Sequence, residues 1–501
     1  MSELRPPALN EASLAGVGAH CDVALPGYDR AALEPCVVHI GVGGFHRAHQ
    51  AVYFDDLAAA GETQCGVIGV GLRRWEMGDV LGAQDGLFTV VERGPEGDSA
   101  RVVGSLLGYH FAPDDPSAVL RALTDPRIRI VTLTVTGDGY FLDADGKFAA
   151  DHADVQHDLA HPDAPVSMVG YLVEALDRRR RDGAGPFTVL SCDNLPDSGR
   201  AARQAVLGFA RLRDAELAAW IAQRVTFPSS MVDRITPETS LQTRDEVEES
   251  FGVPDRWPVV TEPFRQWIVE DDFCAGRPPL EQVGVQFVAD VRPYKLIKAR
   301  VLNGGHSALG YFGILSGYGT TDEAMADLRM RTTLDRMLHD EVLPLLPHVP
   351  GMDLQSYRRT TLARFANPAI GDGLARLCRR GSTKMPSYLL PSLHEARAQG
   401  RPHRLLVLAV AAWMRYLRGT DLAGQPIEVE DPRAEELCAL AREGGDDPRP
   451  LLGCRDLFGD LVEDDEFVAE LAASLQALSV GGFAAAATRP ARGAVEGVQV
   501  A

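Results

Sequence analysis

The sequence is poor in lysine. Of its 50 basic residues only four are lysines, Lys147, Lys295, Lys298 and Lys384, and the others are arginines. A lysine amine can lose its proton at a modest cost, whereas an arginine guanidinium cannot. A chain so biased toward arginine is expected to keep lysine where arginine cannot serve. Lys147 lies in the polar loop "DADGKF" and is interpreted as a chance survivor.

Paired cysteines are also missing. The eight cysteines are scattered, and no two of them have the C-x-x-C spacing. This pattern indicates neither a zinc site nor a disulfide framework. Each cysteine is expected to be a single buried or free thiol, and no metal is expected.

Positive charge and long apolar runs are scarce as well. The formal net charge is −20 and the pI is about 5.1, so a phosphate backbone would be repelled and nucleic-acid binding is not expected. The longest apolar run, "LLVLAVAAWM" at 405–414, is too short for a bilayer and predicts a core helix. The first residues lack the pattern of a secretory signal, so no membrane partner and a cytoplasmic location are expected.

Strand and helix signals alternate over roughly the first 290 residues. "CVVHIGVG", "CGVIGVGL", "IRIVTLTVT" and "FTVLSCDN" read as buried strands, with helical stretches between them such as "FHRAHQAVYFDDLAAAG". This alternation predicts an α/β domain with a parallel sheet over 1–290. Residues 291–501 are mostly helical in character, with a small, polar tail at 484–501 that is expected to be loosely held.

A glycine-rich turn, "HIGVGGFHR", follows the first strand and opens the first helix. Small residues there let the backbone approach a pyrophosphate, so Gly41, Gly43 and Gly44, with Phe45 and Arg47, are predicted to bind a dinucleotide. The third position of G-x-G-x-x-G is His46, so the spacing alone is also compatible with a tight turn that binds nothing. His46 and His49 are interpreted as surface or capping residues.

An acidic residue after the second strand would favour NAD over NADP. The candidate is Glu76, which lies 33 residues after Gly43, later than the usual spacing of about 20. Arg73 and Arg74 beside it could instead bind a 2′-phosphate, so NADP stays open.

The stretch "YKLIKARVLNGGHSALGYFG" at 294–313 reads as one apolar helix with a polar trio. At about 100° per residue, Lys298, Asn303 and His306 lie within roughly 140° of one another. A buried lysine has a lowered pKa and can act as a general base, while an amide and an imidazole can hold the reacting oxygen. This trio suits alcohol oxidation, but it would also suit a buried network that only orients the helix. Tyr294 and Lys298 also match the Y-x-x-x-K pair of short-chain dehydrogenases, which is interpreted as coincidence because that family is about half this length.

Seven motifs along nearly the whole chain resemble one family, the polyol-specific long-chain dehydrogenases represented by mannitol 2-dehydrogenase. They are "HIGVGGFHRAHQ", "TLTVT", "SCDNLP", "FPSSMVDRITP", "EPFRQWIVEDDF", "LNGGHSALGYFG" and "RFANPAI". The resemblance implies a Rossmann-like N-terminal domain, a mainly α-helical C-terminal domain, a metal-independent reaction with NAD, and a polyol or ketose substrate.

The resemblance also implies residue roles. Lys298 would be the general base, and Asn303 and His306 would hold and polarise the reacting oxygen. Four further residues, Asn194, Asp233, Arg376 and Lys384, would contact the substrate, and Glu76 would contact the ribose.

The chain departs from the family at two positions. It has "TGDGY" where the mannitol enzymes have "TEGGY", and "PYKLIK" where they have "PYEEMK", so Gly137 and Lys295 replace two carboxylates. If the ammonium groups lie close, Lys295 is expected to lower the pKa of Lys298 further by repulsion. Proton release would then need another route, with Asp138 as the candidate.

Two alternative functions stay open. A hexuronate reductase of the same superfamily would need a cation for the substrate carboxylate, which Lys295 or Arg379 could supply. A non-catalytic dinucleotide sensor would bind the cofactor without turnover. The identity of the polyol and the oligomeric state are not fixed by the sequence, although such an acidic chain is compatible with a monomer.

Overall fold

The computed structural model describes residues 9–20, 22–143 and 145–489. The chain divides into two compact units, Met1–Arg292 and Pro293–Ala501. Each unit is described by itself.

The first unit is built on strands. Its strands are β1 Pro35–Ile40, β2 Gly66–Gly71, β3 Phe88–Gly94, β4 Gly97–Val103, β5 Leu106–Phe111, β6 Ile130–Leu133, β7 Thr188–Ser191, β8 Ser230–Asp233, β9 Val259–Thr261, β10 Gln266–Glu270 and β11 Gln286–Val288. Its helices are α1 Leu14–His20, α2 Gly44–Ala48, α3 Gln50–Ala59, α4 Trp75–Ala83, α5 Pro116–Thr124, α6 Ala153–Ala160, α7 Met168–Asp182, α8 Ser198–Arg213, α9 Ala215–Arg224 and α10 Leu241–Phe251.

Five of these strands form a parallel sheet in the order β5-β2-β1-β6-β7. Strands β6 and β7 are buried at every position, as expected of a sheet that is covered on both faces. Val38 and Ile40 of β1 pack in the cluster formed with α5, α7, α8 and α9, whereas Val37 packs in the cluster formed with α3 and α4. The predicted Rossmann-like parallel sheet is confirmed.

Two small mixed sheets complete the unit, β4-β3-β9 and β11-β10-β8. The antiparallel β3–β4 hairpin turns at Gly94 and Gly97 and was not predicted. Strand β9 adds to β3 in parallel, and β8 pairs antiparallel with β10. Strand β9 is therefore joined to the β3–β4 hairpin, whereas β8 is held by β10.

The second unit is helical, as predicted. Its α-helices are α11 Arg292–Ile297, α12 Gly304–Leu315, α13 Thr321–Ala326, α14 Leu328–Arg336, α15 Leu354–Phe365, α16 Leu374–Cys378, α17 Gly381–Tyr388, α18 Leu390–Ala398, α19 Arg404–Tyr416, α20 Ala434–Gly444, α21 Arg449–Leu452, α22 Arg455–Phe458 and α23 Asp465–Thr488. Two π-helical segments interrupt this pattern, Lys298–Asn303 and Met337–Val342.

Helix α19 is the predicted core helix over 405–414, and the prediction is confirmed because every residue from Leu405 to Met414 is buried. Its first turn is capped from another segment. The Glu341 carboxylate accepts the N–H groups of Leu405 at 2.9 Å and Leu406 at 2.8 Å. Backbone donors at a helix start have no partner within the helix, so this buried acid satisfies two of them.

Helix α23 packs against α19 and α14. Among the described residues it is the one helix long and apolar enough to cross a membrane by length and composition, with a mean hydropathy of 1.4 and 39% of that window buried. The Phe483 ring lies 4.9 Å from that of Phe312, and Arg404 donates to the Ala487 carbonyl at 2.9 Å. Part of its apolar surface is therefore packed inside the unit, while Val480 is 83% exposed.

The tail prediction was partly wrong. Helix α23 continues to Thr488, with a break at Gly482, so 484–488 are helical. The rest of the predicted loose tail, 490–501, lies outside the described residues.

Candidate active site

The glycine turn closes the end of β1 against β6. Gly41 has a φ of +100°, and a Cβ there would lie 2.2 Å from the Thr134 carbonyl oxygen. The Thr134 hydroxyl donates to the Gly41 carbonyl at 2.8 Å, and the Gly41 N–H donates to Val70 of β2 at 2.8 Å. Strand β1 lies between β2 and β6, where the order of a doubly wound sheet reverses and such folds bind dinucleotides. The backbone here therefore fits a nicotinamide dinucleotide, and only glycine fits at position 41.

His46 occupies the third glycine position of the motif, and its ring stacks on that of His39. His46 is 1% exposed, and its ring lies 3.5 Å from the ring of His39 on β1, at an interplanar angle of 11°. The His39 nitrogens lie 2.8 Å from the Thr132 hydroxyl and 2.9 Å from that of Thr134. The surface role predicted for His46 was wrong. A flat pair of rings gives the close helix-to-strand packing that a glycine usually permits.

His49 is buried too, so its predicted surface role was also wrong. Its Nε2 lies 2.9 Å from the Gln266 carbonyl oxygen, and its backbone leaves the helical region at φ −119° and ψ −84°. The single predicted helix is therefore two, α2 and α3, joined at His49. Phe45 stacks on the His49 ring at 5.1 Å.

Burial also defines the electrostatics of this cluster. It lowers the pKa of His39 and of His49 to about 3, and it lowers the pKa of His46 well below the ordinary value. Removing an imidazolium from water is costly, so all three rings are held neutral at physiological pH.

Arg47 lies in the same buried layer. Its guanidinium donates to the Trp257 carbonyl and lies 5.4 Å from the Phe88 ring on β3. Burial lowers its pKa to about 10. Arg47 therefore ties α2 to β3 and to the segment before β9, and its contact with a cofactor stays a prediction.

Glu76 lies where an acid that binds a ribose is expected. It is exposed in the first turn of α4, just after β2, and Arg73 and Arg74 beside it are exposed as well. In doubly wound folds the acidic ribose contact follows the second strand. Its role stays a prediction, as do those of Gly43 and Gly44, where the backbone is open to an approaching ligand.

The substrate residues predicted in the first unit lie at strand ends. Asn194 is exposed, three residues after β7 ends at Ser191, and Asp233 is the last residue of β8 and is 3% exposed. Next to Asp233, the buried Arg234 reaches Glu92 of β3 at 2.5 Å and the Glu262 carbonyl at 2.9 Å. The end of β8 is thus anchored by an arginine that the sequence analysis passed over.

The lysine stretch is not the single α-helix that was predicted. Helix α11 is followed by the π-helical segment Lys298–Asn303 and then by α12, and the Gly304 N–H donates to the Ala299 carbonyl, five residues back. An α-helix would place Lys298 and Asn303 about 140° apart. A π-helix bonds residues five apart, so it brings Lys298 and Asn303 to the same side of the helix. The single α-helix predicted for this stretch is therefore corrected to two α-helices joined by a π segment.

The side chain of Lys298 is largely withdrawn from solvent. Lys298 is 9% exposed, and Leu302 and Leu309 are buried. The role of Lys298 as a general base stays a prediction.

His306 is held by stacking. Its ring lies 4.0 Å from the Phe365 ring of α15, at 26°. The two glycines before it allow this approach, because a Cβ at Gly305 would lie 3.2 Å from Phe365 and one at Gly304 would lie 3.3 Å from the Tyr388 carbonyl oxygen. "NGGH" therefore lets α15 and α17 come close to the start of α12.

Arg376 and Lys384 lie on α16 and α17, which both pack against α12. Arg376 forms a bidentate pair with the buried Asp372, with Nε to Oδ1 at 2.8 Å and a second bond through Nη2. Lys384 donates to the Leu377 carbonyl at 2.9 Å. Burial, and then the charge of Arg376, lower the pKa of Lys384 to about 8.

The site residues predicted in the second unit lie on elements that pack together. In the second unit, the π segment contacts α15 and α17, and α12 contacts α16 and α17, so five predicted residues share one set of packed elements. Within 9–20, 22–143 and 145–489, no three His, Cys, Asp or Glu side chains are grouped as metal ligands would be. The seven cysteines in those ranges are free thiols; Cys21 lies outside them.

Comparison with known proteins identifies the family. Residues 35–282 match the mannitol dehydrogenase Rossmann domain, and 290–479 match the mannitol dehydrogenase C-terminal domain. A mannitol 2-dehydrogenase of Aspergillus fumigatus is 44% identical over 494 residues, which is 96% of this chain and 98% of that protein.

Two solved structures are similar over the same length. One is the Pseudomonas fluorescens mannitol 2-dehydrogenase ternary complex with NAD and D-mannitol, with a TM-score of 0.84, 42% identity, and coverage of 96% of this chain and 99% of that one. The other is a D-sorbitol dehydrogenase in substrate-free form, with a TM-score of 0.88, 36% identity, and coverage of 96% and 100%. The chain therefore belongs to the mannitol dehydrogenase family.

Proposed function

We propose that this protein is an NAD-dependent polyol dehydrogenase that interconverts D-mannitol and D-fructose. The observation that carries the proposal is the buried Lys298, at the start of the π segment that ends at Asn303, in a chain of this family. The related Pseudomonas fluorescens enzyme, which was solved with NAD and D-mannitol, supports the choice of cofactor and substrate.

The chain's own residues would divide the work as follows. The neutral amine of Lys298 accepts the hydroxyl proton of the alcohol as the carbonyl forms. The Asn303 amide and the His306 ring hold the reacting oxygen, and stacking on Phe365 keeps that ring in place. NAD, when bound, would accept the hydride from the carbon that carries the reacting hydroxyl. Asn194, Asp233, Arg376 and Lys384 would bind the remaining hydroxyls, and such fixed donors and acceptors discriminate between polyols.

The direct test is NADH formation from D-mannitol, D-arabinitol, D-sorbitol and xylitol at mildly alkaline pH. Turnover of D-mannitol should exceed that of the other three, and Lys298→Met should lower kcat by roughly 10²- to 10⁴-fold, as expected when a general base is removed. Lys147→Met is the matched control, because Lys147 is an exposed loop lysine. Equal activity of the two variants would show that Lys298 is not the base.

NAD is proposed over NADP because Glu76 is exposed directly after β2. A carboxylate there binds ribose hydroxyls and repels a 2′-phosphate. Glu76→Ser should lower the ratio of kcat/KM with NAD to that with NADP, and Glu96→Ser, in the exposed turn of the β3–β4 hairpin, should leave the ratio unchanged. A wild-type enzyme that prefers NADP would contradict the proposal.

A hexuronate reductase is the second candidate. Lys295 and Arg379 are the two cations that could bind its substrate carboxylate, and Arg379 donates to Glu430 at 3.0 Å. Turnover of fructuronate without turnover of any polyol would favour this function. Cofactor binding without turnover of either class would favour the sensor.

A further inference from the structure

One buried carboxylate joins the loops that follow two neighbouring strands. Asp193 follows β7 and is 8% exposed. Its Oδ2 accepts the N–H of Val135 at 3.1 Å and the Tyr140 hydroxyl at 2.6 Å, and its Oδ1 accepts the N–H of Thr136 at 2.9 Å. The Tyr140 hydroxyl is also 2.6 Å from the Ser191 hydroxyl. The loop after β6 is therefore fastened to the loop after β7.

The fastened loop has a strained backbone. Thr136 has a φ of +65° and Phe141 a φ of +54°, on either side of the short turn Gly137–Tyr140. Residues other than glycine rarely adopt such angles, which cost on the order of 1–3 kcal/mol each and persist only where the surroundings enforce them. The bonds from Asp193 to the two amides, with the buried Tyr140, are that enforcement.

Asp193 and the two loops that it joins lie at the edge of the sheet where ligands of such folds bind. Strands β6 and β7 run in parallel, with Leu133 opposite Ser191, and both loops leave their carboxyl ends. Ligands of doubly wound folds bind outside these ends, beside the strand-order reversal at β1 and β6. Thr136, Gly137 and Asp138 are exposed there, and Asn194 directly follows Asp193.

We propose that Asp193, through its bonds to Val135, Thr136 and Tyr140, is a positioning residue that fixes Asn194 and the exposed turn 136–138 for polyol oxidation. This role rests on the proposed function. Asp193 acts through its neighbours. Its carboxylate keeps the loop after β6 at a fixed distance from the loop after β7, and it holds Thr136 at its positive φ.

The substitution Asp193→Asn tests the role. An amide cannot accept two N–H groups and a hydroxyl with one oxygen, so the loop after β6 should relax. Displacement of reacting groups by about 1 Å costs up to about 100-fold, so kcat should fall by roughly 10- to 100-fold while the NAD dissociation constant and the unfolding midpoint change little. Asp197→Asn is the matched control, since asparagine is also a good N-cap for α8.

Rescue separates positioning from a general structural role. Glycine adopts positive φ without strain, so the double variant Asp193→Asn/Thr136→Gly should recover much of the kcat of Thr136→Gly alone. Tyr140→Phe removes one hydrogen bond to Asp193 and should give a smaller loss of kcat. If Asp193→Asn does not fold, this variant tests the positioning role in its place.

The outcomes are distinct. A wild-type chain that oxidises no polyol would overturn the proposed function and this role with it. An active wild type, with Asp193→Asn as active as Asp197→Asn, would overturn the positioning role alone. The positioning role would also be overturned if adding Thr136→Gly to Asp193→Asn restored none of the lost kcat.

Discussion

The amine of Lys384 lies in a setting that favours its neutral form. Its pKa of about 8 lies well below the ordinary value of about 10.4, first because of burial and then because of Arg376. The Arg376 guanidinium is fixed by Asp372, so its charge stays close to the amine. At mildly alkaline pH this side chain therefore carries its proton only part of the time.

We predict that Lys384 reacts with an amine-directed reagent with an apparent pKa near 8. The pH dependence of labelling, followed by mass spectrometry of the Lys384 peptide, measures it, and Lys147 in the same digest is the exposed internal control. Arg376→Gln should shift the labelling curve of Lys384 to higher pH because a neighbouring positive charge is lost. A curve for Lys384 that rises only near pH 10 would contradict the prediction.

Some site residues could be predicted from the sequence and others could not. Lys298, Asn303 and His306 were predicted from their shared apolar stretch, and the structure places them on packed elements of one unit. His46 and His49 were interpreted as surface or capping residues because no third metal ligand was evident near them. Their partners, His39 and Gln266, are respectively 7 and 217 residues away along the chain, and the stack of two rings has no sequence signature.

At the scale of elements, the start of α12 shows why "NGGH" needs its glycines. Gly305 faces the Phe365 ring of α15, which in turn carries the His306 ring. A methyl group at position 305 would press on that ring at 3.2 Å.

We predict that Gly305→Ala lowers the free energy of unfolding by about 1–3 kcal/mol, because overpacking outweighs the better helix propensity of alanine. Activity should fall as well, because Phe365 must move and His306 moves with it. Gly82→Ala on α4 is the matched control. There is open space at Gly82, and the substitution should stabilise the protein by about 0.5–1 kcal/mol. Urea unfolding measures both variants, and equal effects would rule out the contact with Phe365 as the cause.

Element types were easier to predict than their irregularities. Buried apolar runs indicated β1, β2, β6 and β7, and the change to helical signals near residue 290 indicated the character of the second unit. The β3–β4 hairpin was missed although "FTVVERGPEGDSARVV" alternates around a turn of Gly and Pro, a signal that could have found it. The π segment could not be found, because one extra residue per turn changes the hydrogen bonding and leaves the apolar pattern intact.

At the scale of the whole molecule, three neutral histidines lie in one buried layer. His39 and His49 have a pKa of about 3 in the folded state, against about 6.5 when unfolded. Below pH 6.5 the unfolded chain therefore binds more protons than the folded one, so stability falls as the pH decreases toward 3.

We predict that each of these two histidines removes about 2 kcal/mol of folding free energy between pH 7 and pH 5. Urea unfolding across this range measures the effect, and His39→Asn should make the pH dependence shallower by about that amount. His348→Asn, at an exposed position, serves as the control. An unchanged slope in His39→Asn would show that burial does not hold the ring neutral.

The stack of His39 and His46 also has an evolutionary consequence. A glycine at position 46 would place no constraint on the residue at position 39 of β1. With two flat rings 3.5 Å apart, the residue at each of these positions depends on the residue at the other. A single substitution at either site leaves a gap or a clash beneath the turn, so the two positions should change together among descendants of this sequence. The G-x-G-x-x-G pattern therefore describes only part of this turn, because the contact between the side chains at positions 39 and 46 is inherited with it.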